Sequence, residues 1–160
     1  MHNEENDMRD GKLLQVVTFK IENEEFGVNI LQVQEINKMM SITKIPNAPF
    51  FIEGVINLRG KIIPIVNLRK KLGFETKPHD KATRIIIINL DALTLGFVVD
   101  SVSEVLTVPD NIIDQAPSMA GGIESEYIEG VGKFDDRLLI LLELRKVFVG
   151  NEKEEIEQII

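Results

Sequence analysis

The chain contains two histidines, and histidine is a residue type that could support catalysis. A catalytic histidine needs a nucleophile to deprotonate or a carboxylate that orients its ring. His2 lies in an acidic, polar stretch, and His79 lies in a Lys-Pro-His-Asp run whose neighbouring acid is Asp80. Phosphorylatable histidines usually lie on helices, and nothing around His79 predicts a helix. We therefore expect His79 to be a solvated loop residue without a catalytic role.

The sequence lacks the other common motifs of catalytic and ligand-binding sites. The chain has no cysteine, which excludes disulfides, thiolate chemistry and cysteine metal sites. Gly130-Val131-Gly132 lacks the third glycine and the following helix of a dinucleotide site, and Gly121-Gly122 is typical of a flexible turn. No group of His, Asp and Glu has metal-ligand spacing. We expect no enzyme activity, no cofactor and no metal.

The composition is typical of a folded protein that does not bind nucleic acid. Of the 160 residues, 44% are hydrophobic and 28% are charged. The net charge of -8 disfavours phosphate contacts, and one tyrosine without tryptophan offers little base stacking. No stretch approaches the roughly 20 apolar residues of a membrane span, and the acidic start is unlike a signal peptide. We expect residues 1–12 to form a flexible tail and residues 151–160 a helical or frayed one.

The sequence contains an internal repeat, and the strands and turns of its two copies would position any functional side chain. Phe51–Leu72 reads FIEGVINLRGKIIPIVNLRKKL and Tyr127–Phe148 reads YIEGVGKFDDRLLILLELRKVF, and the two segments align without a gap. Phe26–Ile36 aligns with Leu95–Val105 more faintly. Convergence of similar strand-turn-strand units is the alternative, but gapless agreement at both ends of the first pair favours duplication.

Both copies predict β-strands. Val16–Ile21 and Arg84–Asn89 are rich in β-branched and apolar residues and are bounded by turn signals. Runs that are apolar on both faces predict strands covered on both sides, so a face shared by the two units should form a main core. Pro64 predicts an edge or a bulge in its strand. Helices are predicted near Ile30–Gln34, near Leu68–Leu72 and, longer, from about Glu143.

One hairpin differs between the copies and is therefore a candidate for function. The first copy has Asn57-Leu58-Arg59-Gly60-Lys61 where the second has Lys133-Phe134-Asp135-Asp136-Arg137. Two different turn types would explain the difference. Arg59 on a tight turn is also suited to binding a carboxylate.

A basic segment surrounds this hairpin. Residues 38–71 hold seven basic side chains and one acid, Glu53. Such a segment in an acidic protein is either a docking surface or a solvated face, and charge alone does not decide. The loop Ile45–Phe51 is apolar and carries two prolines, which suits either a protein contact or packing on the core.

Five short motifs follow one another along the chain. They are Val33–Ile36 (VQEI), Ile52–Gly60 (IEGVINLRG), Pro64–Arg69 (PIVNLR), Val98–Asp100 (VVD) and Val102–Val105 (VSEV). Together they resemble the signature of the CheW family of bacterial chemotaxis coupling proteins, from about Gln15 to Phe148. Asn67 departs from the family, which more often has Asp there. We expect that change to affect only a helix cap.

The resemblance implies an all-β fold and an adaptor function. The fold would be two tandem five-stranded SH3-like β-barrels packed around a shared hydrophobic core, with short helices and a C-terminal helix. Residues 13–150 would form this domain, with the second repeat from about residue 82. The protein would link the regulatory domain of the histidine kinase CheA to the cytoplasmic tips of methyl-accepting chemoreceptors. It would be cytoplasmic and recruited to membrane-associated receptor arrays, without inserting into the membrane.

The resemblance also implies two sets of site residues. The receptor-binding groove between the barrels would comprise Val33, Glu35, Ile36, Arg59, Val99 and Val102. Kinase-binding or structural turn positions would be Gly54, Gly96 and Gly130, with Gly54 on the kinase side. Because Glu35 and Arg59 are both charged and adjoin apolar groove residues, we expect them to approach each other.

Two alternatives to this adaptor remain open. A small-ligand-binding or enzymatic β-barrel would need polar groups converging in a cavity, and a dry interior between the barrels would exclude it. A related adaptor carries a phosphorylatable receiver domain after its CheW-like half. That domain would need on the order of a hundred further residues, and we do not expect it here.

Overall fold

The computed structural model describes residues 12–114, 119–120, 123–124 and 127–160. The predicted N-terminal tail up to residue 11 and the Gly121-Gly122 turn lie outside these residues. The strands of the first half are β1 (Leu13–Ile21), β2 (Glu24–Asn29), β3 (Val33–Lys38), β4 (Ile52–Leu58) and β5 (Lys61–Asn67). Those of the second half are β6 (Arg84–Leu90), β7 (Leu93–Val99), β8 (Ser101–Pro109), β9 (Ile113–Asp114), β10 (Met119–Ala120), β11 (Ile123–Glu124), β12 (Ile128–Phe134) and β13 (Arg137–Leu142).

Helical structure in the described part of the chain is short. The helices are α1 (Leu68–Leu72) and α2 (Glu152–Glu157), and 3-10 turns occupy Ile30–Gln32, Asp110–Ile112 and Leu144–Lys146. The prediction of short helices after β2 and after β5 is therefore confirmed.

The strands form two large sheets. What we call the first sheet has the order β3-β6-β7-β5-β4, and the second sheet has the order β8-β1-β2-β13-β12-β9. The short strands β10 and β11 pair with each other. The chain is therefore mainly β, with two units, as the sequence predicts.

The two copies of the repeat exchange strands. In the two sequence alignments of the repeat, β2, β3, β4 and β5 correspond to β7, β8, β12 and β13. Each sheet thus combines the first two strands of one copy with the later strands of the other. The parallel pairing that joins them is the same in both sheets, with Ile65 opposite Gly96 and Leu141 opposite Gly27. Neither copy of the repeat can form a complete sheet without strands from the other copy.

The strand β6 shows why the apolar runs lack an alternating pattern. Its Ile86 and Ile88 belong to the cluster between the two sheets, which we call the shared core, together with Phe19 of β1. Its Ile85 and Ile87 belong to a second cluster on the other face of the first sheet. Because successive side chains point to opposite faces, a strand with a core on each side must be apolar throughout. The prediction of a main core shared by the two units is confirmed.

Pro64 lies in β5, an interior strand of the first sheet, opposite Val55. The pairing of β5 with β7 covers only Ile65–Asn67, so Pro64 precedes the point where that pairing begins. The bulge lies in the opposite strand, where the register shifts between Ile52 and Gly54. Pro64 is tolerated because the strand has edge character at that position.

The prediction of a longer helix from Glu143 is wrong. The Glu143 side chain accepts a hydrogen bond from the Arg145 amide at 3.1 Å, which caps a single 3-10 turn. The chain then turns at Gly150, whose φ of 59° suits glycine, before α2 begins. Ile156 of α2 is fully buried in the shared core, so this helix packs against the sheets.

Candidate docking surface

Glu35 and Arg59 form a two-point ion pair. Arg59 Nη1 donates a hydrogen bond to Glu35 Oε2 at 3.3 Å, and Arg59 Nη2 donates to Glu35 Oε1. Glu35 lies on β3, at one edge of the first sheet, whereas Arg59 lies in the turn between β5 and the opposite edge strand, β4. The predicted approach of the two residues is therefore observed, and their contact joins one edge strand of the sheet to the turn that follows the other edge strand.

The hairpin turns of the two copies have the same backbone type. Arg59 and Gly60 have φ values of 53° and 86°, and Asp135 and Asp136 have values of 49° and 62°. Two successive positive φ angles are characteristic of a type I′ turn. Two turn types therefore do not explain the sequence difference. The first copy instead places an arginine in a left-handed conformation, which costs a non-glycine residue roughly 1–2 kcal/mol.

The ion pair fixes the charge of Glu35. The hydrogen bond from Arg59 lowers the pKa of Glu35 from 4.5 to about 2, and the same contact raises the pKa of Arg59. The Arg59 side chain is 67% exposed and that of Glu35 is 25% exposed. Water screens so open a pair, which therefore adds little stability. Its effect is to present two oriented charges at the surface.

The apolar residues of the predicted receptor groove differ in exposure. Ile36 is exposed beside Glu35, while Val33 and Val102 are half-buried and pack against the shared core. Val99 is only 1% exposed and belongs to that core. Val99 therefore supports the surface from beneath and offers no contact area to a partner.

The three predicted glycine positions lie within strands and not in turns: Gly54 in β4, Gly96 in β7 and Gly130 in β12. A Cβ atom at Gly96 would lie 2.6 Å from Ile65 Cδ1, and one at Gly130 would lie 2.3 Å from Ile113 Cγ2. Close packing explains why a side chain is excluded at these two positions.

Gly54 allows two backbone segments, β4 and the segment after β3, to cross in close contact. Its φ of 150° is rare for other residues, and a Cβ there would lie 2.2 Å from the Thr43 carbonyl oxygen. Thr43 and Val55 exchange two backbone hydrogen bonds of 2.9 Å, which hold the segment after β3 against β4. Any larger residue at Gly54 must displace that segment.

A groove of about 980 Å³ opens beside this crossing. We call it the basic groove, because Lys44 and Lys70 line it together with apolar side chains such as Met40 and Ile42. Since Thr43 lies between two of the lining residues, the shape of the groove depends on Gly54.

His79 lies in an exposed loop, as predicted, but it also has a partner that the sequence did not indicate. Its Nε2 lies 3.1 Å from Glu53 Oε1, at the wall of the basic groove. The nearest acid in sequence, Asp80, is therefore not the one that contacts the ring. Glu53 lies 26 positions earlier, and only the folding of the 73–83 segment over β4 brings the two together.

Asn67 does more than cap a helix. Its Oδ1 accepts a hydrogen bond from the Lys70 amide at 3.1 Å, as the capping prediction requires. Its Nδ2 also donates to Glu53 Oε1 at 2.7 Å. An ionised aspartate has no proton to donate, so the residue type at this position decides whether Glu53 keeps this hydrogen bond in addition to its contact with His79.

The basic segment does not form one continuous surface. Arg69 is buried and donates to Asp100 at 2.8 and 2.6 Å and to Glu22 at 2.7 Å. These hydrogen bonds raise the pKa of Arg69. Lys71 is also buried and pairs with Glu152 at 2.6 Å. Two of the seven basic residues therefore hold the fold together.

The apolar loop Ile45–Phe51 packs on the core and also exposes an aromatic ring, so both interpretations of its composition apply. Phe51 is buried in the shared core and packs against Phe148 at a ring-centroid distance of 5.8 Å. Its neighbour Phe50 is exposed. The loop is thus anchored by one ring and presents the other to solvent.

The space between the sheets is too small and too apolar for a ligand. A cavity of about 10 Å³ in the shared core is lined only by apolar side chains, including Phe19, Ile88, Phe97 and Leu144. Ligand sites are typically larger by more than an order of magnitude and include polar groups. This core argues against the alternative of a small-ligand barrel.

Metal-ligand clusters and membrane spans are not found among the described residues. These residues contain no group of three or more histidine, aspartate or glutamate side chains placed to hold a metal ion. None of their helices is long and apolar enough to cross a membrane.

Known proteins resemble this chain over most of its length. The CheW-like domain family matches residues 15–152. The chemotaxis protein CheW of Klebsiella aerogenes is 41% identical, over 84% of this chain and 81% of that protein. The probable chemotaxis protein CheW of Rhizobium etli is 37% identical, over 88% and 90%.

A solved structure shares the fold as well. The crystal structure of the scaffolding protein TtCheW from Thermoanaerobacter tengcongensis superposes with a TM-score of 0.80 and 40% identity, covering 87% of this chain and 90% of that one. The five motifs and the strands from β2 to β13 lie within residues 15–152, the span that the CheW-like domain family matches. The chain belongs to the CheW family of chemotaxis proteins and is an adaptor, not an enzyme.

Proposed function

We propose that this protein couples transmembrane chemoreceptors to the histidine kinase CheA, so that the state of the receptor controls the kinase. It would hold the cytoplasmic tip of a methyl-accepting receptor and the regulatory domain of the kinase at the same time, as a cytoplasmic component of receptor arrays. The observation that carries the proposal is the exposed Glu35–Arg59 pair beside Ile36. Membership of the CheW family and likeness to a scaffolding protein support it.

The receptor would bind beside the Glu35–Arg59 pair. A helix can bury an apolar stripe against Ile36 and the half-buried edges of Val33 and Val102. Oriented charges next to an apolar contact contribute to specificity and register more than to affinity. The left-handed turn that holds Arg59 serves this role, because it aims the guanidinium across the edge of the sheet.

The regulatory domain of the kinase would bind at the basic groove. Lys44 and Lys70 favour an acidic partner, and Met40 and Phe50 supply exposed apolar contacts nearby. Gly54 would act on kinase binding indirectly, by keeping the lining segment against β4.

Coupling between the two surfaces requires no chemistry by this protein. A receptor controls the kinase if its two signalling states bind the adaptor with different affinities or in different positions. The buried contacts of Arg69 join α1 to the turn before β2 and to the crossing from β7 to β8. These contacts link elements of the two sheets, and through them a shift at one surface would reach the other.

Calorimetric titrations of the full-length protein test the proposal. The titrants are a receptor-tip fragment and the regulatory domain of CheA, used separately and together, and we expect each to bind and a ternary complex to form. Arg59→Glu places two carboxylates in contact and should weaken receptor binding by about tenfold or more while kinase binding is retained. Lys153→Glu, which changes an exposed lysine outside both surfaces, is the matched control. Binding of the unaltered protein to neither partner would contradict the proposal.

A further inference from the structure

Two adjacent methionines line the basic groove. Met39 and Met40 directly follow the end of β3, and both side chains contribute to the groove wall. The chain has five methionines and no cysteine, so thioethers are the sulfur groups that an oxidant can modify. The other three methionines are Met1, Met8 and Met119. The groove therefore holds two of the five candidate sites of methionine oxidation.

The two methionines of the groove differ in how they are packed. Met40 is 37% exposed, so an oxidant dissolved in water can reach its side chain. Met39 is half-buried and packs, together with Ile42, against the second cluster, on the face of the first sheet that points away from the shared core. Because a dissolved oxidant must contact the sulfur atom, Met40 should react before Met39.

Backbone contacts on both sides keep Met40 at the groove. Lys38, the last residue of β3, pairs with Arg84 of β6. Thr43 exchanges two backbone hydrogen bonds of 2.9 Å with Val55 of β4. The short segment that carries Met40 is thus held at both ends. A chemical change in the Met40 side chain must therefore be accommodated within the groove.

Oxidation would change what Met40 offers to a partner. A thioether is a flexible apolar group that accepts hydrogen bonds only weakly. A sulfoxide is polar, and its oxygen is a hydrogen-bond acceptor. Lys44 and Lys70 line the same groove, and their ammonium groups, like water, are donors of the kind that such an oxygen binds. The groove wall at Met40 would become polar and hydrated.

We propose that Met40 is a site of reversible oxidation by hydroperoxides, and that this oxidation regulates partner binding at the basic groove. The identity of the partner as the regulatory domain of CheA rests on the function proposed above. In the oxidation step, a lone pair on the Met40 sulfur attacks the terminal oxygen of the hydroperoxide. A sulfur–oxygen bond forms and the oxygen–oxygen bond breaks. The proton of the transferred oxygen moves to the departing oxygen, which leaves as an alcohol, or as water when the oxidant is hydrogen peroxide.

The electron count of this cycle closes with a dithiol as the reductant. The sulfur of Met40 loses two electrons in the first step, and the hydroperoxide gains them. A methionine sulfoxide reductase reverses the change. In that reverse step a dithiol is oxidised to a disulfide, the sulfoxide is reduced to the thioether, and the oxygen leaves as water. The modification is therefore a switch and not only damage.

The two proposed docking surfaces should respond differently to this switch. A partner in the basic groove must strip water from the sulfoxide oxygen, and burial of a polar group is costly unless it is hydrogen-bonded. Binding of the kinase domain should therefore weaken. The Glu35–Arg59 pair is not among the described residues that line the groove, so receptor binding should be retained. Hydroperoxides would thus separate the kinase from a receptor-bound adaptor.

Peptide mass spectrometry of the full-length protein after mild treatment with hydrogen peroxide locates the modified residue. We expect the mass of one added oxygen atom on Met40 before it appears on Met39. Calorimetric titration of the treated protein with the CheA regulatory domain should show binding weakened by about tenfold or more. Receptor-tip binding and the thermal unfolding midpoint should not change. Incubation with a methionine sulfoxide reductase and a dithiol should restore kinase-domain binding.

Three variants assign the effect to one sulfur atom. Each protein is compared with itself before and after peroxide, so that its own untreated affinity is the reference. Met40→Leu has no thioether at this position and should lose the sensitivity to peroxide, whereas Met39→Leu should keep it. Met40→Gln carries a polar group of similar length and should bind the kinase domain about as weakly as the oxidised protein, without any treatment.

The outcomes separate this inference from the proposed function. If Met40 is oxidised and kinase-domain binding does not change, or if peroxide weakens binding of Met40→Leu as much as that of the unaltered protein, the inference is overturned and the proposed function stands. If Met39 is oxidised first, or if oxidation lowers the unfolding midpoint, the effect is structural damage and the inference is wrong. If the untreated, unaltered protein does not bind the kinase domain, the proposed function fails and the inference fails with it.

Discussion

Lys71, which is buried, and Glu152, which is half-buried, form an ion pair that fastens the C-terminal helix to the first copy of the repeat. Lys71 Nζ lies 2.6 Å from Glu152 Oε1 and 4.8 Å from the centre of the Phe51 ring. The two residues are 81 positions apart in the sequence. Glu152 begins α2, whose Ile156 is buried in the shared core, so the pair orients this helix over the sheets.

Removing one member of this pair should destabilise the protein. Glu152→Ala leaves a buried ammonium group without its carboxylate, and we expect a loss of about 3 kcal/mol in the free energy of unfolding. Urea denaturation measures this loss. Glu155→Ala, in the same helix but exposed, is the control and should have little effect. The double variant Lys71→Met, Glu152→Leu should lose less than Glu152→Ala, because it leaves no charge unpaired. An equal or greater loss in the double variant would show that the pair itself is the stabilising element.

The pKa of Glu35 should report the ion pair directly. Because this pKa is lowered from 4.5 to about 2, the carboxylate remains charged and bound to Arg59 above pH 4.5, and the pair is lost only as the pH falls toward 2. A carboxyl-carbon NMR titration measures this value. Arg59→Ala removes the main cause and should return the pKa toward 4.5. An unchanged pKa in that variant would mean that the contact does not persist in solution.

The sequence predicts the parts of this fold that depend on local pattern. Strand-forming runs, the turn at Gly60 and the cap at Asn67 follow from neighbouring residues, and the repeat itself is visible as a gapless alignment. The strand exchange is not predictable in this way, because a duplicated sequence is compatible with strands paired within a copy or between copies. The pairing of Ile65 with Gly96 that distinguishes the two arrangements joins positions in different copies.

Side-chain partners across long separations were missed for a similar reason. His79 and Arg69 have no informative neighbours in sequence, and both find their carboxylates only after the sheets assemble. Glu35 and Arg59 were predictable because family motifs mark both positions. Glu104, which bonds to Arg137 at 3.2 Å, could have been found by aligning Glu35 with the second copy, although Arg137 lies on β13 and not in the hairpin turn.

Gly54→Ala should affect kinase binding before receptor binding. The new Cβ would lie 2.2 Å from the Thr43 carbonyl oxygen, so the segment that lines the basic groove must move. We expect a loss of about 1–3 kcal/mol in the free energy of unfolding and weaker binding of the CheA regulatory domain. Gly150→Asn is the control, because no atom lies near that position and asparagine tolerates its φ of 59°. Equal effects of Gly54→Ala on both partners would indicate general unfolding and not a local change at the groove.

The bond between Asn67 and Glu53 should make the residue types at these two positions interdependent. Asn67→Asp preserves the cap of α1, because aspartate caps a helix as well as asparagine. It nevertheless replaces a 2.7 Å hydrogen bond to Glu53 with two facing carboxylates. We expect a loss of about 1–2 kcal/mol in the free energy of unfolding, measured by urea denaturation.

Adding Glu53→Gln to Asn67→Asp supplies a new amide donor and should restore most of that loss. The same Glu53→Gln change alone should cost less than Asn67→Asp, because a glutamine oxygen can still accept from the Asn67 amide. The coupling energy of this double-mutant cycle therefore isolates the contact from the cap. A coupling energy near zero would mean that Asn67 acts through the cap alone, as the sequence first indicated.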